Sequence, residues 1–398
     1  MRILIGADSF YPYISGVSVT TLNLASYLSA QGHEVVVIAP SKNRRNYKEN
    51  FDRGFLVWRV GSIPNPFRKD LRMGVYKWRQ LRGFIASWNP DIIHLQDPGS
   101  IGLALLGPAK AQMVPIIVSH HFTLDFVLSY LRFLRPAHTY VRKSLSSALI
   151  RFYNSCQHIV CPSQMVKQEL LDLGLKKPVT VVSNGVNLDR FINDESNDDI
   201  RSRYDLPKEP LVLYVGRIAK EKNIETLIRS IPLVLGRVKA HFVLCGGGEL
   251  VEDFSRLIER MGLSDNVSFL GQIDYQSSDL PQIYRSAACF AIPAKMETQS
   301  IVTLEAMASG LPIVAARAGA LPELVADGDN GFLFNPGDSE ELAKKICRLL
   351  EDDNLSQAMG QRSIVKVVQH EINSSLQIIE EIYYEVVNNA VVKASKLG

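Results

Sequence analysis

Residues 289–312 read Cys289-Phe-Ala-Ile-Pro-Ala-Lys-Met-Glu-Thr-Gln-Ser-Ile-Val-Thr-Leu-Glu-Ala-Met-Ala-Ser-Gly-Leu-Pro312. A short apolar run of strand length is followed by a polar loop and then by a helix-compatible segment that Gly310 and Pro312 end. A strand followed by a helix is the repeating unit of parallel sheets covered by helices. The stretch therefore predicts an α/β fold, and it places a polar loop at the carboxyl end of a strand, where open parallel sheets bind ligands.

The same alternation extends in both directions and forms two series. The first series of predicted strands is Arg2–Ala7, Glu34–Ala39, Ile92–Gln96, Pro115–Ser119, His158–Pro162 and Val179–Ser183. The second is Leu211–Val215, His241–Cys245, Val267–Leu270, Cys289–Ile292 and Pro312–Ala315. A polar stretch at 193–199 separates them. We therefore expect two Rossmann-like domains, 1–190 and 200–373, with a cleft between them and a last helix, 374–398, available to pack back on the first domain.

Length and composition agree with a two-domain globular protein. The chain has 398 residues, of which 46% are apolar and 21% charged, and this length exceeds what one hydrophobic core usually supports. Its five cysteines are scattered, which is typical of reduced thiols in the cytosol. No signal peptide precedes the first strand, and no run approaches the roughly 18 apolar residues of a membrane span. We expect a cytoplasmic protein.

Charge is distributed unevenly along the chain. Residues 1–190 contain 23 Lys and Arg against 11 Asp and Glu, a net charge of +12, whereas the remainder has a net charge of −9. This asymmetry indicates that the first half meets an anionic partner.

The loop before the segment 301–308 has the features of a phosphate site. Ser300 is a plausible N-cap, which leaves the amides of Ile301 and Val302 at the positive end of a helix dipole. Glu305 lies about one turn further, a rise of roughly 6 Å, where it can accept hydrogen bonds from ribose hydroxyls. Glu297 in the loop can accept them from sugar hydroxyls. The alternative is that both glutamates are ordinary solvated charges.

A second polar loop follows the strand Leu211–Val215 and contains Arg217 and Lys222. Cations at the carboxyl end of a strand can neutralise the charge that develops on a departing diphosphate. Either cation alone would suit a solvated surface, but together with a phosphate-binding helix after another strand of the sheet they indicate one site.

These motifs resemble those of the family 4 retaining glycosyltransferases of GT-B fold, and the similarity is closest to members that form glycolipids. It rests on Gly216-Arg217 with Lys222, on Glu297 and Glu305 with seven residues between them, and on Glu305-Ala-Met-Ala-Ser-Gly-Leu-Pro312. It continues through 319–323 and 327–331. Many members have Phe-Gly where this chain has Gln299-Ser300, so the chain departs from the family beside the expected phosphate.

The resemblance implies a role for each matching residue. Arg217 and Lys222 would bind the donor diphosphate, Glu297 the transferred sugar and Glu305 the ribose. In the first half, Gly16 belongs to a loop where backbone approaches the phosphates, unless it merely permits a tight turn. The family has a histidine after the strand Pro115–Ser119, and His121 matches it, to contact the sugar or the acceptor hydroxyl. We expect His121, Arg217, Lys222 and Glu297 to serve catalysis.

Residues 42–82 have a local net charge of +9. If the segment is helical, Arg68, Arg72, Arg79 and Arg82 share an arc of roughly 80° at about 100° per residue, beside Trp78. Basic amphipathic helices with tryptophan bind membrane interfaces, so we expect peripheral attachment to the anionic inner face of the cell membrane. The alternative is a solvated helix whose apolar face packs on the core.

Other partners and cofactors are not expected. Asp327-Gly-Asp329 resembles a metal-binding pair but has the composition of turns, and we expect metal-independent chemistry in which a divalent cation is at most non-essential. Gly246-Gly-Gly248 is a weak dinucleotide signal and more typical of a loop that lines the donor pocket. No nucleic-acid-binding module appears.

The sequence thus favours transfer of a hexose, with retention, from a nucleotide diphosphate sugar, most simply UDP-linked, to a hydroxyl of a membrane lipid. Three alternatives stay open: a soluble sugar or polysaccharide acceptor, a nucleotide-sugar epimerase, and an inert nucleotide-sugar-binding partner subunit.

Overall fold

The computed structural model of the chain describes residues 1–13, 15–65, 72–76, 78–130, 138–192 and 199–395. They form two compact units. The N-terminal unit comprises residues 1–184 and the residues from 373 onward, and the C-terminal unit comprises Gly185–Ile372. The boundary predicted from the sequence, at 190–200, lies a few residues after the observed boundary between Asn184 and Gly185. Each unit is built on a mainly parallel sheet with helices between its strands, so the predicted α/β class is confirmed.

The strands of the N-terminal unit are β1 (Arg2–Gly6), β2 (Glu34–Pro40), β3 (Tyr47–Asn50), β4 (Leu56–Val60), β5 (Ser62–Pro64), β6 (Arg72–Gly74), β7 (Ile92–Leu95), β8 (Ile116–Ser119), β9 (His158–Cys161) and β10 (Val179–Val181). The main sheet has the order β10-β9-β8-β7-β1-β2-β4-β3, and β5 pairs with β6 separately. All neighbours in the main sheet are parallel except β3 and β4. The carboxyl ends of the parallel strands therefore share one edge.

The helices of this unit are α1 (Gly16–Ala30), α2 (Trp78–Trp88), α3 (Ser100–Ala111), α4 (Leu124–Tyr130), α5 (His138–Tyr153) and α6 (Gln164–Asp172). Helix α2 buries Leu81 and Ile85, whereas Arg82 and Gly83 between them are exposed. Both buried side chains belong to the hydrophobic core of the unit. The apolar face of α2 is thus used for packing within the domain.

The expectation of one basic helix that includes residue 72 is wrong. Arg72 begins strand β6, and its guanidinium donates to the hydroxyl of Ser62 at 2.7 Å and to the carbonyl of Ser62 at 3.0 Å. Strand pairing between β5 and β6 satisfies this backbone, so Arg72 does not share an arc with Arg79 and Arg82. Arg68 lies outside the described residues.

The C-terminal unit contains strands β11 (Leu211–Val215), β12 (His241–Cys245), β13 (Val267–Gly271), β14 (Cys289–Ile292), β15 (Ile313–Ala316) and β16 (Gly331–Phe334). Their order is β13-β12-β11-β14-β15-β16, and all pairs are parallel. Strands β11, β12, β14, β15 and β16 are buried throughout, as expected for a sheet with both faces covered.

The helices of this unit are α7 (Leu188–Ile192), α8 (Ile200–Arg203), α9 (Ile224–Leu235), α10 (Val251–Arg260), α11 (Asp279–Ser286), α12 (Ile301–Ala308), α13 (Leu321–Leu324), α14 (Ser339–Leu350) and α15 (Asp353–Val367), with short 3₁₀ turns at Lys220–Lys222, Ser264–Asn266 and Val368–His370. The switch in strand order lies between β11 and β14, which is where a doubly wound sheet opens its ligand crevice.

The last helix, α16 (Ile372–Ser395), groups with the N-terminal unit from Asn373 onward. Polar contacts hold it there. The Tyr383 hydroxyl lies 2.6 Å from Nδ1 of His94, and Glu380 accepts from the Tyr27 hydroxyl at 3.0 Å and pairs with His33 at 2.8 Å. The helix thus completes the core of the unit that begins the chain.

Candidate active site

Helix α12 begins at the carboxyl end of β14 with the expected N-cap. The Ser300 side chain is buried and accepts from the Thr303 amide at 3.4 Å and from the Thr303 hydroxyl at 2.8 Å. The amides of Ile301 and Val302 have no carbonyl one turn earlier in the helix. A helix N-terminus with such amides favours an anionic oxygen.

Glu305 lies in the second turn of α12 and is only 2% exposed. Its carboxylate accepts from the Tyr284 hydroxyl on α11 at 2.8 Å. Burial raises the pKa of Glu305 to about 7, although the Tyr284 hydrogen bond and the charge of Arg190 oppose this shift. The protonated and ionised forms of Glu305 are therefore nearly balanced at neutral pH.

Sequence reasoning did not identify Tyr284 or Arg190. Tyr284 is fully buried, and the adjacent carboxylate and the burial raise its pKa well above the ordinary value. The Arg190 guanidinium lies 4.7 Å from the ring centre of Tyr275 and donates to the Ser277 carbonyl at 3.0 Å. Neither residue belongs to a motif, and only the packing of α11 and α7 against α12 brings them to Glu305.

Lys222 and Glu297 meet directly. Their side chains form an ion pair of 2.5 Å, and the Glu297 side chain is 8% exposed. The two residues are 75 positions apart and follow β11 and β14, which are neighbours in the sheet. The expectation that the two loops converge within this unit is therefore correct, and the cation orients the carboxylate as well as being available to a phosphate.

Arg217 is also held by carboxylates. It pairs with Glu221, and its other terminal nitrogen lies 3.7 Å from Glu249. Its carbonyl accepts from the Tyr214 hydroxyl at 2.9 Å. A diphosphate bound here would compete with Glu249, which is 53% exposed, more readily than with Glu221, which is buried. Glu221 is a site residue that the sequence did not single out.

Glycines fix the loops that follow β11 and β12. A Cβ at Gly246 would overlap the carbonyl of Gly216, and one at Gly248 would overlap the carbonyl of Ile218. The Ile218 amide donates to the Gly247 carbonyl at 2.8 Å. The glycine run thus lets two loops cross closely and sets the backbone beside Arg217, a packing role that the sequence analysis did not foresee.

A glycine also shapes the backbone of Glu297. Gly319 has φ of +55°, and a Cβ there would lie 2.5 Å from the Glu297 carbonyl oxygen and 2.8 Å from its nitrogen. The next amide, of Ala320, donates to the Glu297 carbonyl at 2.9 Å. The family-like motif at 319–323 therefore packs against the backbone of the loop that contains Glu297.

Gly16 and His121 belong to the N-terminal unit. Gly16 is exposed and is the first residue of α1, which Ser15 caps through the Ser18 amide at 3.1 Å. His121 follows β8, and its Nε2 lies 3.3 Å from Oε1 of Gln96. Burial lowers the pKa of His121 to about 4. Both residues thus lie after strands at the carboxyl edge of their own sheet, and His121 is a neutral imidazole at physiological pH.

Of the residues expected to face the membrane, Trp78, Arg79 and Arg82 lie on one helix, whereas Arg72 lies on a strand. Trp78, Arg79 and Arg82 are exposed on α2, with Trp78 53% exposed. The Arg82 guanidinium lies 5.6 Å from the Trp78 ring centre. A compact basic and aromatic surface exists here, although Leu81 and Ile85 are not part of it.

Metal ligation has no support from the described residues. Asp327 pairs with Arg317 at 3.1 Å, and Asp329 pairs with Arg362 at 3.3 Å. Throughout the described ranges, no group of three or more His, Cys, Asp or Glu side chains is placed to hold a metal ion. Among the same residues, no helix combines the length and apolarity that crossing a bilayer requires.

Two mainly parallel sheets, one carrying a helix N-terminus, two cations and two carboxylates at its carboxyl edge, define an α/β enzyme of GT-B fold. Solved structures share this fold. The sucrose-phosphate synthase of Thermosynechococcus elongatus superposes with a TM-score of 0.79 over 98% of this chain and 100% of that chain, at 19% identity.

Family models identify both halves of the chain. Residues 14–190 match Glycosyltransferase Family 4, and residues 196–365 match Glycosyl transferases group 1. The chain therefore belongs to the family 4 glycosyltransferases, as its motifs predict.

Curated relatives extend over most of the chain. A sulfoquinovosyl transferase of Arabidopsis thaliana is 30% identical over 88% of this chain, which spans 66% of that protein's length. An alpha-monoglucosyldiacylglycerol synthase of Streptococcus pneumoniae is 28% identical over 84% of this chain and 75% of its own length.

Proposed function

We propose that the enzyme transfers a hexose, with retention, from a UDP-sugar to a hydroxyl of a membrane glycolipid precursor such as diacylglycerol or a phospholipid headgroup. The observation that carries the proposal is the convergence of Lys222, Glu297 and the first turn of α12 at the carboxyl edge of one sheet.

Each group has a distinct task in the donor complex. Glu305 accepts from the ribose hydroxyls, and the amides of Ile301 and Val302, beside the Ser300 cap, hold phosphate oxygens. Arg217 and Lys222 neutralise the charge that grows on the diphosphate as it leaves, which is where fixed cations contribute most. Glu297, oriented by Lys222, binds hydroxyls of the sugar.

The carboxylates suit a front-face reaction. Double displacement needs one carboxylate as nucleophile and one as acid and base, whereas Glu297 is ion-paired with Lys222 and Glu305 is hydrogen-bonded within the core. In the proposed step the bond from the anomeric carbon to phosphate breaks while the acceptor oxygen bonds to the same face, and the acceptor proton passes to the departing phosphate. In this proposal neutral His121 hydrogen-bonds the transferred sugar or the acceptor hydroxyl, and Gly16 has the role that the family resemblance implies, in a loop whose backbone binds the phosphates. No metal is required, so transfer should persist in excess chelator.

A lipid acceptor is supported by the resemblance to glycolipid synthases and by the exposed surface of Trp78, Arg79 and Arg82. Each basic residue near an anionic surface contributes about 1 kcal/mol. With Leu81 and Ile85 buried in the domain core, we expect reversible electrostatic attachment to the cytoplasmic face of the membrane rather than insertion of α2.

The activity is tested by a screen of UDP- and GDP-sugars against a lipid extract, following nucleotide diphosphate release and product mass. The double substitution R217A/K222A should lower kcat by about 100-fold or more. The control R229A/R256A removes two exposed arginines of the same unit and should retain activity. Full activity of R217A/K222A contradicts the mechanism.

The same screen separates the alternatives. Conversion of the donor without any acceptor indicates an epimerase. Donor binding without release of nucleotide diphosphate indicates an inert subunit, and transfer to sugars but not to lipids indicates a soluble acceptor.

Membrane attachment is tested by co-sedimentation with vesicles that contain phosphatidylglycerol. R79A/R82A should weaken binding by about 30-fold, the equivalent of about 2 kcal/mol, and high salt should do the same to the native protein. If the native protein binds the vesicles at no salt concentration, including the lowest, the lipid-surface proposal is wrong.

A further inference from the structure

A small cavity lies within the N-terminal unit, at the carboxyl ends of β7 and β8. Its polar lining includes Gln96, Ser119 and His121 together with Thr20, Ser183 and Asn184, and its apolar lining includes Leu376 and Ile379 of α16. The cavity has a volume of about 10 Å³, which is about enough for one water molecule or one hydroxyl group. His121 is also partly exposed, so the cavity borders on solvent at that wall.

Gln96, one of the residues that line the cavity, has an unused hydrogen-bond donor. The residue is fully buried, and its amide nitrogen Nε2 has no partner among the described residues. Its Oε1 is occupied, because it faces Nε2 of His121 at 3.3 Å. A buried polar group without a partner is destabilising, because it has given up its hydrogen bonds to water. An oxygen atom from outside the chain would remove this cost.

The surroundings favour a neutral oxygen over an anion. Burial lowers the pKa of His94 to about 3, of His120 to about 3 and of His121 to about 4. His94 is held between the Ser119 hydroxyl at 2.8 Å and the Tyr383 hydroxyl at 2.6 Å. All three imidazoles are therefore uncharged at neutral pH.

Other titratable groups close to this cluster bring no positive charge. The Tyr153 hydroxyl lies 2.5 Å from Nδ1 of His120, and burial raises the pKa of Tyr153 well above its ordinary value. Asp97, next to Gln96, turns its carboxylate to the amides of Gly99 and Asp8. Nothing in this set would attract a phosphate or a carboxylate.

Gln96 also fixes the state of His121. Because Oε1 can only accept, Nε2 of His121 must be the protonated nitrogen of the neutral ring. This leaves Nδ1 as the basic nitrogen. The same amide group thus selects the imidazole tautomer and presents a second donor to the cavity.

We propose that the cavity is a subsite for a single hydroxyl group, in which Gln96 donates Nε2–H to the hydroxyl oxygen and positions His121 through Oε1. The inference rests on the proposed transfer reaction and names a substrate hydroxyl, from the acceptor or the transferred sugar, as the ligand. Only one oxygen fits, so the remainder of the substrate stays outside.

The kinetic test compares Q96M with Q282M. Methionine keeps the length of glutamine and removes its polar atoms. Gln282 is a matched control, because it is also buried and its side-chain nitrogen and oxygen have no partner, but it lies on α11 in the other unit. We expect Q96M to lower kcat/KM for transfer by about 10-fold or more, the effect of one lost hydrogen bond in a dry site, and Q282M to stay within about 2-fold. Both should bind UDP like the native protein and unfold cooperatively.

A spectroscopic test does not depend on transfer. In protein labelled with ¹⁵N-histidine, His121 should carry its proton on Nε2, and Q96E should make the ring titrate at a higher pH because a carboxylate stabilises imidazolium. Glycerol, used as a neutral hydroxyl probe, should shift the His121 signals of the native protein but not of Q96M. Inorganic phosphate should leave them unchanged.

Two results overturn the proposal: native kcat/KM in Q96M, or an equal loss in Q282M. In the first case, a lower melting temperature of Q96M would mean that the cavity holds a structural water only. If native protein transfers no sugar but the glycerol response is present, the proposed function fails and the hydroxyl subsite stands. If transfer is normal but neither glycerol nor Q96E affects His121, the subsite fails alone.

Discussion

The buried Glu305 should make donor binding depend on pH. Burial raises its pKa to about 7, so the carboxylate is about 9% ionised at pH 6 and about 91% at pH 8. If only the ionised form accepts both ribose hydrogen bonds, the apparent Kd scales inversely with that fraction. Since the acid loses its proton as pH rises, the donor should bind about 10-fold more tightly at pH 8 than at pH 6.

The assay is calorimetric titration with UDP-glucose, or with the nucleotide sugar that the donor screen selects. Free UDP is less suitable, because a terminal phosphate has a second ionisation near pH 6. Two buried neighbours of Glu305 do not titrate in this range, because burial raises the pKa of Cys245 to about 12 and that of Tyr284 well above its ordinary value.

The substitution E305Q supplies the control. It keeps the shape of the side chain and one acceptor oxygen, so we expect binding at pH 8 to weaken by about 10-fold and the pH dependence to disappear. A native protein with equal affinity at both pH values, or E305Q with the native pH dependence, would refute the role assigned to Glu305.

The other predictions concern residues that contact Glu305 and Glu297 and hold them in place. Y284F removes the hydrogen bond that favours ionised Glu305, so the midpoint of the pH dependence should move up by about one unit; an unchanged midpoint in the same titration would exclude this role. G319A should lower the melting temperature and the donor affinity, because its Cβ would contact the Glu297 backbone at 2.5 Å. G262A is the matched control, since Gly262 has φ of +68° with nothing within 4 Å and should show only the strain of a left-handed residue, about 1 kcal/mol.

Most of the fold could be predicted from local patterns. Buried strands such as β11 and β14 are continuous apolar runs between turn residues, a signal that needs no knowledge of the partner strand. Two strands that escaped prediction, Leu56–Val60 and Gly331–Phe334, are mostly buried apolar runs like the predicted ones. Others have weaker signals. Tyr47–Asn50 is a polar, largely exposed edge strand, and Arg72–Gly74 pairs over three residues only. Pairing across the chain rather than composition makes these segments strands.

The candidate site was predictable where one loop contains it. The Ser300 cap and the position of Glu305 follow from helix geometry, which neighbouring residues determine. Asn223 shows the limit of such reasoning. It precedes α9 as a cap would, but it adopts φ of +53°, and its side chain donates to the Pro293 carbonyl at 3.2 Å without capping the helix.

The sequence by itself determined the two α/β domains, the family and the residue types at the donor site, because periodicity, caps and motif spacing are local properties of the chain. Only the tertiary structure decided that Lys222 holds Glu297, that burial brings Glu305 close to its neutral form at pH 7 against the opposing hydrogen bond from Tyr284, and that Gln96 keeps a donor without a partner. These are properties of desolvation and of contacts between residues 20 to 75 positions apart, and they exist only once the helices and strands have packed.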